Sequence, residues 1–233
     1  ALLGKKVENE FIGLNSGIMD QFAVAMGRHD RAILLDCDTL EFEYLPFEIG
    51  DYVLAIINSN KKRELADSKY NERFAECGAA LKLLKKEITA THLCDIDIDT
   101  FRRHQHLISD PILQKRALHV ITENERVNQA KKTLRSGDLK KFGELMYASH
   151  QSLQVLYEAS GKELDTIVEF CKSYSDCIGA RMTGAGFGGC AIALVKQESF
   201  DDFAVKLISY YKQRIGFDPE VFASVIGDGV KEL

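Results

Sequence analysis

The stretch Gly179-Ala180-Arg181-Met182-Thr183-Gly184-Ala185-Gly186-Phe187-Gly188-Gly189, followed directly by Cys190-Ala191-Ile192-Ala193-Leu194-Val195, decides the fold. Its glycines at 184, 186 and 189 have the G-x-G-x-x-G spacing of dinucleotide-binding loops. Such a loop needs a strand before it and a helix after it, so that the helix N-terminus meets a pyrophosphate. An apolar run of strand character follows instead, which argues against a nicotinamide or flavin site. No Gly-Lys-Ser/Thr follows either, so this is not a Walker loop. Five glycines between 179 and 189 still need a cause, because each costs backbone entropy on folding. Two causes are open. One is a tight turn feeding the strand at Cys190; the other is a backbone wall against a ligand, its N–H groups turned to anionic oxygens.

Downstream, Phe200, Phe203, Leu207 and Tyr211 recur at helical spacing, and Val221, Ala223 and Val225 alternate as a last strand. Upstream, a helix with Leu164, Ile167, Cys171 and Tyr174 follows Gly161. Before it, a helix opening at Asp138 turns Leu139, Phe142, Met146, Ser149, Leu153 and Leu156 inward. A long helix over 111–135 starts on Pro111 and stops at Gly137. Tyr70, Phe74, Cys77, Leu81 and Leu84 predict one apolar stripe on a helix begun near Ser68. Tyr52 to Ile57 reads as a buried strand, and Ala32 to Leu35 with Leu40, Phe42 and Tyr44 as a β-hairpin turning at 36–39. The first helix runs from near Ser16 to Gly27. Strands therefore gather at the two ends of a long helical middle. That order predicts an α+β fold, helices packed on a mostly antiparallel sheet.

Composition narrows the function classes. A net charge of −5 leaves no electrostatic footprint for nucleic acid or an anionic membrane. Lys61-Lys62-Arg63, the longest basic cluster, reads as a solvated turn. No apolar run approaches the ~18 residues of a membrane span. Six scattered cysteines without a C-x-x-C pair predict reduced thiols and a cytoplasmic setting. His104 and His106 lack partners at zinc spacing, and no metal site is expected within the chain.

Three separated motifs resemble, in order, the galactokinase branch of the GHMP small-molecule kinases. Gly17-Ile18-Met19-Asp20-Gln21 is similar to that branch's catalytic-aspartate segment. Asn58-Ser59-Asn60 with Leu65-Ala66-Asp67-Ser68-Lys69-Tyr70-Asn71-Glu72-Arg73 resembles its sugar-lining stretch. The run Gly179 to Cys190 resembles its third signature. The likeness covers essentially the whole chain. It implies phosphoryl transfer from MgATP to the anomeric hydroxyl of α-D-galactose, giving galactose 1-phosphate, by a protein that is monomeric at full length. Related branches acting on N-acetylgalactosamine, galacturonate or arabinose, and a non-catalytic galactose sensor, are the alternatives.

The resemblance also implies a layout. Residues 1–48 would be the tail of an N-terminal domain carrying the catalytic residue, and 49–233 a ferredoxin-like C-terminal domain. Asp20 would be catalytic; Gly17, Asn15, Asp20 and Tyr70 would contact the sugar, with Gly184, Gly186, Gly188 and Gly189 in the ligand-facing loop. On the residues alone, Asp20 is equally a first-turn carboxylate complementing a helix dipole, and Tyr70 a core tyrosine. The family's Arg and Glu-His-x-Asp cluster, and its serine-rich phosphate loop, have no counterpart in the sequence. Most of the ATP and Mg²⁺ sites are therefore expected before Ala1, and residues 1–233 alone are expected to be inactive. Phe74, Leu118 and Leu156 stand where the family has charged residues.

Overall fold

The computed structural model of the chain describes residues 1–12, 17–61 and 66–230. Its first elements are a short helix α1 (Leu2–Lys6) running into a π-helical turn at Val7–Ile12, and α2 (Met19–Met26). The expected helix start near Ser16 lies outside the described residues; its stop at Gly27 is as predicted. The hairpin follows as β1 (Arg31–Leu35) and β2 (Phe42–Pro46), antiparallel with Ile33 opposite Tyr44. Asp36 closes the turn by accepting from the Asp38 and Thr39 amides.

A second sheet has four strands: β3 (Tyr52–Asn58), β4 (Cys177–Met182), β5 (Cys190–Lys196) and β6 (Glu220–Ser224). Their order is β4-β5-β3-β6, and every neighbouring pair is antiparallel. Five helices separate β3 from β4: α3 (Ala66–Leu84), α4 (Ile98–His104), α5 (Pro111–Ser136), α6 (Leu139–Ser152) and α7 (Lys162–Ser173). One helix, α8 (Phe200–Ile215), separates β5 from β6. Two interleaved β-α-β halves result, the ferredoxin-like α+β arrangement.

The core lies where α7 and α8 cover one face of this sheet. Ala55, Ile57, Ala191 and Ala193 meet Leu164, Ile167, Cys171, Phe203 and Leu207, all fully buried. Tyr211 is buried with them and donates from its hydroxyl to the Ser59 carbonyl at 2.7 Å. A second cluster, with Ala80, Leu84, Phe101, Ile108, Ala117 and Ile121, joins α3, α4 and α5. Local rules set the boundaries. Asp110 caps α5 by accepting from Ile112 N, Pro111 sits in the first turn, and Gly137 closes it in the left-handed region. Asp97 caps α4 in the same way, through Thr100 N.

Three expectations change. The apolar stripe of α3 is real only in its second half, since Phe74 is 69% exposed and Tyr70 lies at the surface. In the first half Arg73 turns inward, because it finds carbonyl and carboxylate partners there. The run from Gly179 is a strand before it is a loop. Gly143 of α6 and Gly179 of β4 meet without intervening side chains: a Cβ on Gly143 would lie 2.1 Å from the Ile178 carbonyl oxygen. Gly179 thus answers to helix–sheet contact. Finally, Lys61 is no freely solvated lysine; its Nζ holds Glu163 at 2.8 Å.

Two stability predictions follow from this packing. Gly143→Ala is expected to destabilise the chain by at least the ~1–3 kcal/mol of overpacking, read as a lower urea midpoint. An unchanged midpoint would mean that α6 and β4 can separate freely. His119 is buried against Ser152 and stacked on Tyr157, and burial lowers its pKa from 6.5 to about 4. Between those values the unfolded chain binds the proton that the folded one refuses, so stability falls as pH drops from 6.5 toward 4. The loss is up to about 3 kcal/mol. Denaturation across that window should show a shallower pH dependence in His119→Gln than in the parent.

Candidate functional site

The glycine-rich loop 183–189 joins β4 to β5. Thr183 N donates to the Cys190 carbonyl at 2.9 Å and closes its base. Gly184, Gly186, Gly188 and Gly189 all have positive φ, as does Phe187 at 57°. The glycines differ in why they are needed. A Cβ on Gly184 would meet open space, so only its conformation demands glycine. A Cβ on Gly186 would lie 2.1 Å from the Ala159 carbonyl oxygen, and one on Gly188 3.3 Å from the Lys61 side chain.

Both ends of the loop are tied down. Phe187 N donates to the Ala159 carbonyl at 2.7 Å, and Ser59 N donates to the Gly189 carbonyl at 2.9 Å. The amides of Gly184, Ala185, Gly186 and Gly188 have no hydrogen-bond acceptor among the described residues. Gly184 and Ala185 are also exposed. Successive amides in a left-handed-rich turn form a concavity suited to anionic oxygens.

Cations flank the loop. Lys69 Nζ stands 5.3 Å from the centre of the Phe187 ring, and Arg73 Cζ 6.0 Å from it. The first turns of α3 are thereby set beside the loop, and they carry Tyr70, whose hydroxyl has no partner among the described residues. The Asn58-Ser59-Asn60 segment is fixed from the other side. Asn58 Nδ2 donates to Glu220, Asn60 Nδ2 to the Asp218 carbonyl, and Ser59 is fully buried.

Two of the three sequence motifs, with Tyr70, Gly184, Gly186, Gly188 and Gly189, are thus drawn around one loop. Gly17 and Asp20 are not in contact with it. Gly17 is exposed, Ile18 behind it is buried, and Asp20 is exposed in the first turn of α2, with no hydrogen bond or ion pair among the described residues. Asn15 lies outside the described residues. The other end of α2 is stapled to the C-terminal segment: Gly229 N donates to Gly27 O, and Val230 N to Val24 O. Lys61, Lys69 and Arg73 were not singled out as site residues from the sequence. Only the placement of Lys69 and Arg73 in the sugar-lining stretch hinted at them.

Comparison with known proteins gives a consistent result. The family described as GHMP kinases C terminal matches residues 130–213. The galactokinase of Staphylococcus carnosus (strain TM300) is 54% identical over 231 residues, which are 99% of this chain and 60% of that protein. The galactokinase of Clostridium tetani is 53% identical over 231 residues, 59% of its length. The chain therefore spans about three fifths of the curated relatives it matches. Among solved structures, Lactococcus lactis galactokinase complexed with galactose superposes with a TM-score of 0.95 at 45% identity. That match covers all of this chain and 60% of the other. The L. major mevalonate kinase, at 18% identity and a TM-score of 0.51, shares the fold.

The two kinds of glycine separate experimentally. Gly184→Ala should cost only the left-handed penalty, about 1–2 kcal/mol. Gly186→Ala adds a clash with the Ala159 carbonyl and should lower the urea midpoint clearly further. Equal midpoints would contradict the anchoring of the loop on Ala159.

Proposed function

We propose, on the premise that this chain carries the C-terminal domain of the GHMP kinases, that it is the C-terminal portion of a galactokinase. Its reaction is transfer of the γ-phosphoryl group of ATP to the anomeric hydroxyl of α-D-galactose. What carries the reading is the whole-chain likeness to a galactokinase complexed with galactose, together with a glycine-rich loop that leaves the exposed Gly184 and Ala185 amides without an acceptor among the described residues.

In this reading the anomeric oxygen attacks the γ-phosphorus, the bond to the bridging oxygen of ADP breaks, and the hydroxyl proton leaves toward Asp20. Phosphoryl transfer asks little covalent work of a protein; it asks for alignment and charge neutralisation. The exposed Asp20 carboxylate keeps both oxygens available to accept from the sugar hydroxyl. Tyr70 offers a hydroxyl to the ring substituents and Gly17 its backbone; Asn15, outside the described residues, is the weaker sugar-contact candidate on the resemblance alone. The exposed amides of Gly184 and Ala185 and the Lys69 ammonium suit anionic oxygens of phosphate. Mg²⁺ would arrive with the nucleotide and neutralise its phosphates. Among the described residues no three His, Cys, Asp or Glu side chains converge. On the family resemblance, the metal's protein ligands are proposed to lie in the part of the relatives that this chain does not match.

Residues 1–48 are proposed as the tail of the N-terminal domain and 49–233 as the C-terminal domain. A cytoplasmic, monomeric protein is proposed; no described helix is long and apolar enough to cross a membrane.

The test is a chimera in which residues 1–233 follow the unmatched part of the Staphylococcus carnosus galactokinase. It should form galactose 1-phosphate from galactose and MgATP, while residues 1–233 alone should not. Asp20→Asn in the chimera should keep galactose binding and lower kcat by roughly two to four orders of magnitude. Near-normal turnover would refute the role of Asp20. Preference for N-acetylgalactosamine, galacturonate or arabinose would reassign the substrate, and galactose binding without turnover in the parent chimera would indicate a sensor.

A further inference from the structure

Behind the loop and α3 lies a group of buried charges that takes no part in the chemistry above. Arg116 of α5 is the largest fully buried side chain, 2% exposed. Its Nε donates to Glu76 Oε2 at 2.7 Å, one Nη to the Leu156 carbonyl at 2.6 Å, and the other to Glu158 Oε2 at 2.8 Å. Arg73 of α3 meets the same turn. It donates from Nε to the Tyr157 carbonyl at 2.7 Å and from Nη1 to Glu76 Oε2 at 3.1 Å. One carboxylate oxygen of Glu76 thus takes both arginines.

The turn they grip is the end of α6. After Ser152 the helix widens into a π-turn over Leu153–Tyr157 and stops at Glu158, a non-glycine residue with φ 55°. The last carbonyls of a helix have no partner within it. Here those of Leu156 and Tyr157 are taken by the two arginines. Ala159, two residues past Tyr157, offers its own carbonyl to Phe187 N. A continuous path therefore runs from α3 through Arg73, Glu76 and Arg116 to residues 156–159, and on to the glycine-rich loop.

Such a cluster is a poor device for stability, since apolar residues of similar volume often do as well or better. It is a good device for geometry, because a guanidinium fork fixes direction as well as distance. Among the described residues, Lys69 and Arg73 of α3 meet the loop over the Phe187 ring. We infer that Glu76 and Arg116 are positioning residues: they hold the 156–159 turn, and through it the glycine-rich loop, at a fixed place relative to the ligand-facing start of α3. That this matters for a sugar rests on the galactokinase reading; the mechanical linkage does not.

Hydrogen exchange of the chain tests the linkage. The double variant Glu76→Met/Arg116→Met removes both charges and keeps the volume, and Arg116→Lys keeps the charge while losing the fork. The double variant is expected to fold, with exchange at Phe187 N accelerated about tenfold or more and exchange at Val195 and Leu207 unchanged. Arg116→Lys should show the same selective pattern, more weakly. Unchanged exchange at Phe187 would overturn the inference, and so would a uniform acceleration that includes Val195 and Leu207. If neither variant folds, the cluster serves the fold as a whole and the inference is equally overturned. In the chimera, selective loosening should raise KM for galactose severalfold with a smaller change in kcat. Loosening with an unaltered KM would remove the functional half of the inference, whereas a chimera inactive in its parent form would count against the galactokinase reading alone.

Discussion

Helix α6 lies on strand β4 with no side chain between them at Gly143 and Gly179, and much of the site depends on that contact. From it the helix runs along the strand like a rail. Farther along, His150 of α6 accepts the Met182 amide on Nδ1 at 3.2 Å, which leaves its proton on Nε2, 3.2 Å from Asp165 Oδ1. Beyond that, the turn ending at Ala159 accepts the Phe187 amide. Helix and strand thus stay in step from Gly179 to Phe187. A side chain at either glycine would lift the near end of the rail, and its far end would no longer meet the loop.

Much of the buried polarity in this region serves open backbone carbonyls, and the rest is held by side chains. Arg73 and Arg116 complete the open carbonyls of the α6 terminus. His119, neutral through burial, is held between Ser152 and the Tyr157 ring. Exposed pairs such as Lys206 with Asp202 contribute little by comparison, because water screens them. The two arginines that hold the α6 terminus are therefore largely out of reach of solvent.

This also explains what was legible in the sequence. The hairpin, Pro111 and Gly137 at the two ends of α5, and the strands β3 and β5 follow local rules that act within a few residues, and they appear where expected. Strand β4 does not follow such a rule. Its glycine looks like loop chemistry in isolation and is required only by a helix 36 positions earlier in the chain. The reading of α3 failed for a related reason. Tyr70 and Phe74 extend an apolar period, but the inward positions belong to Arg73 and Glu76, whose partners lie on α5 and at the end of α6. Periodicity detects burial driven by hydrophobicity; it is blind to burial driven by pairing. The loop's glycine count was legible but left a tight turn and a backbone wall equally open, and which glycine answers to Ala159 and which only to its own conformation required the fold.

The relation between the loop and α2 has a different basis. No described contact joins them. The loop and the Asn58 end of β3 are held together through Ser59, whereas α2 is stapled to residues 226–230, which continue from β6 past the opposite end of β3. The two parts of the proposed site are thus fastened to opposite ends of one sheet, and its register sets the distance between them. Pairing of β3 with β6 fixes Asn58 opposite Glu220 and Leu54 opposite Ser224. A slip of that pairing would carry the 226–230 segment, and α2 with it, along the strand axis by about 3.4 Å per residue. Transfer between a nucleophile and a phosphoryl group tolerates far less, since an error of about 1 Å can cost a hundredfold in rate. On the galactokinase reading, the sheet is therefore the ruler of the active site as well as its support, and Asp20 depends on a strand pairing that it never touches.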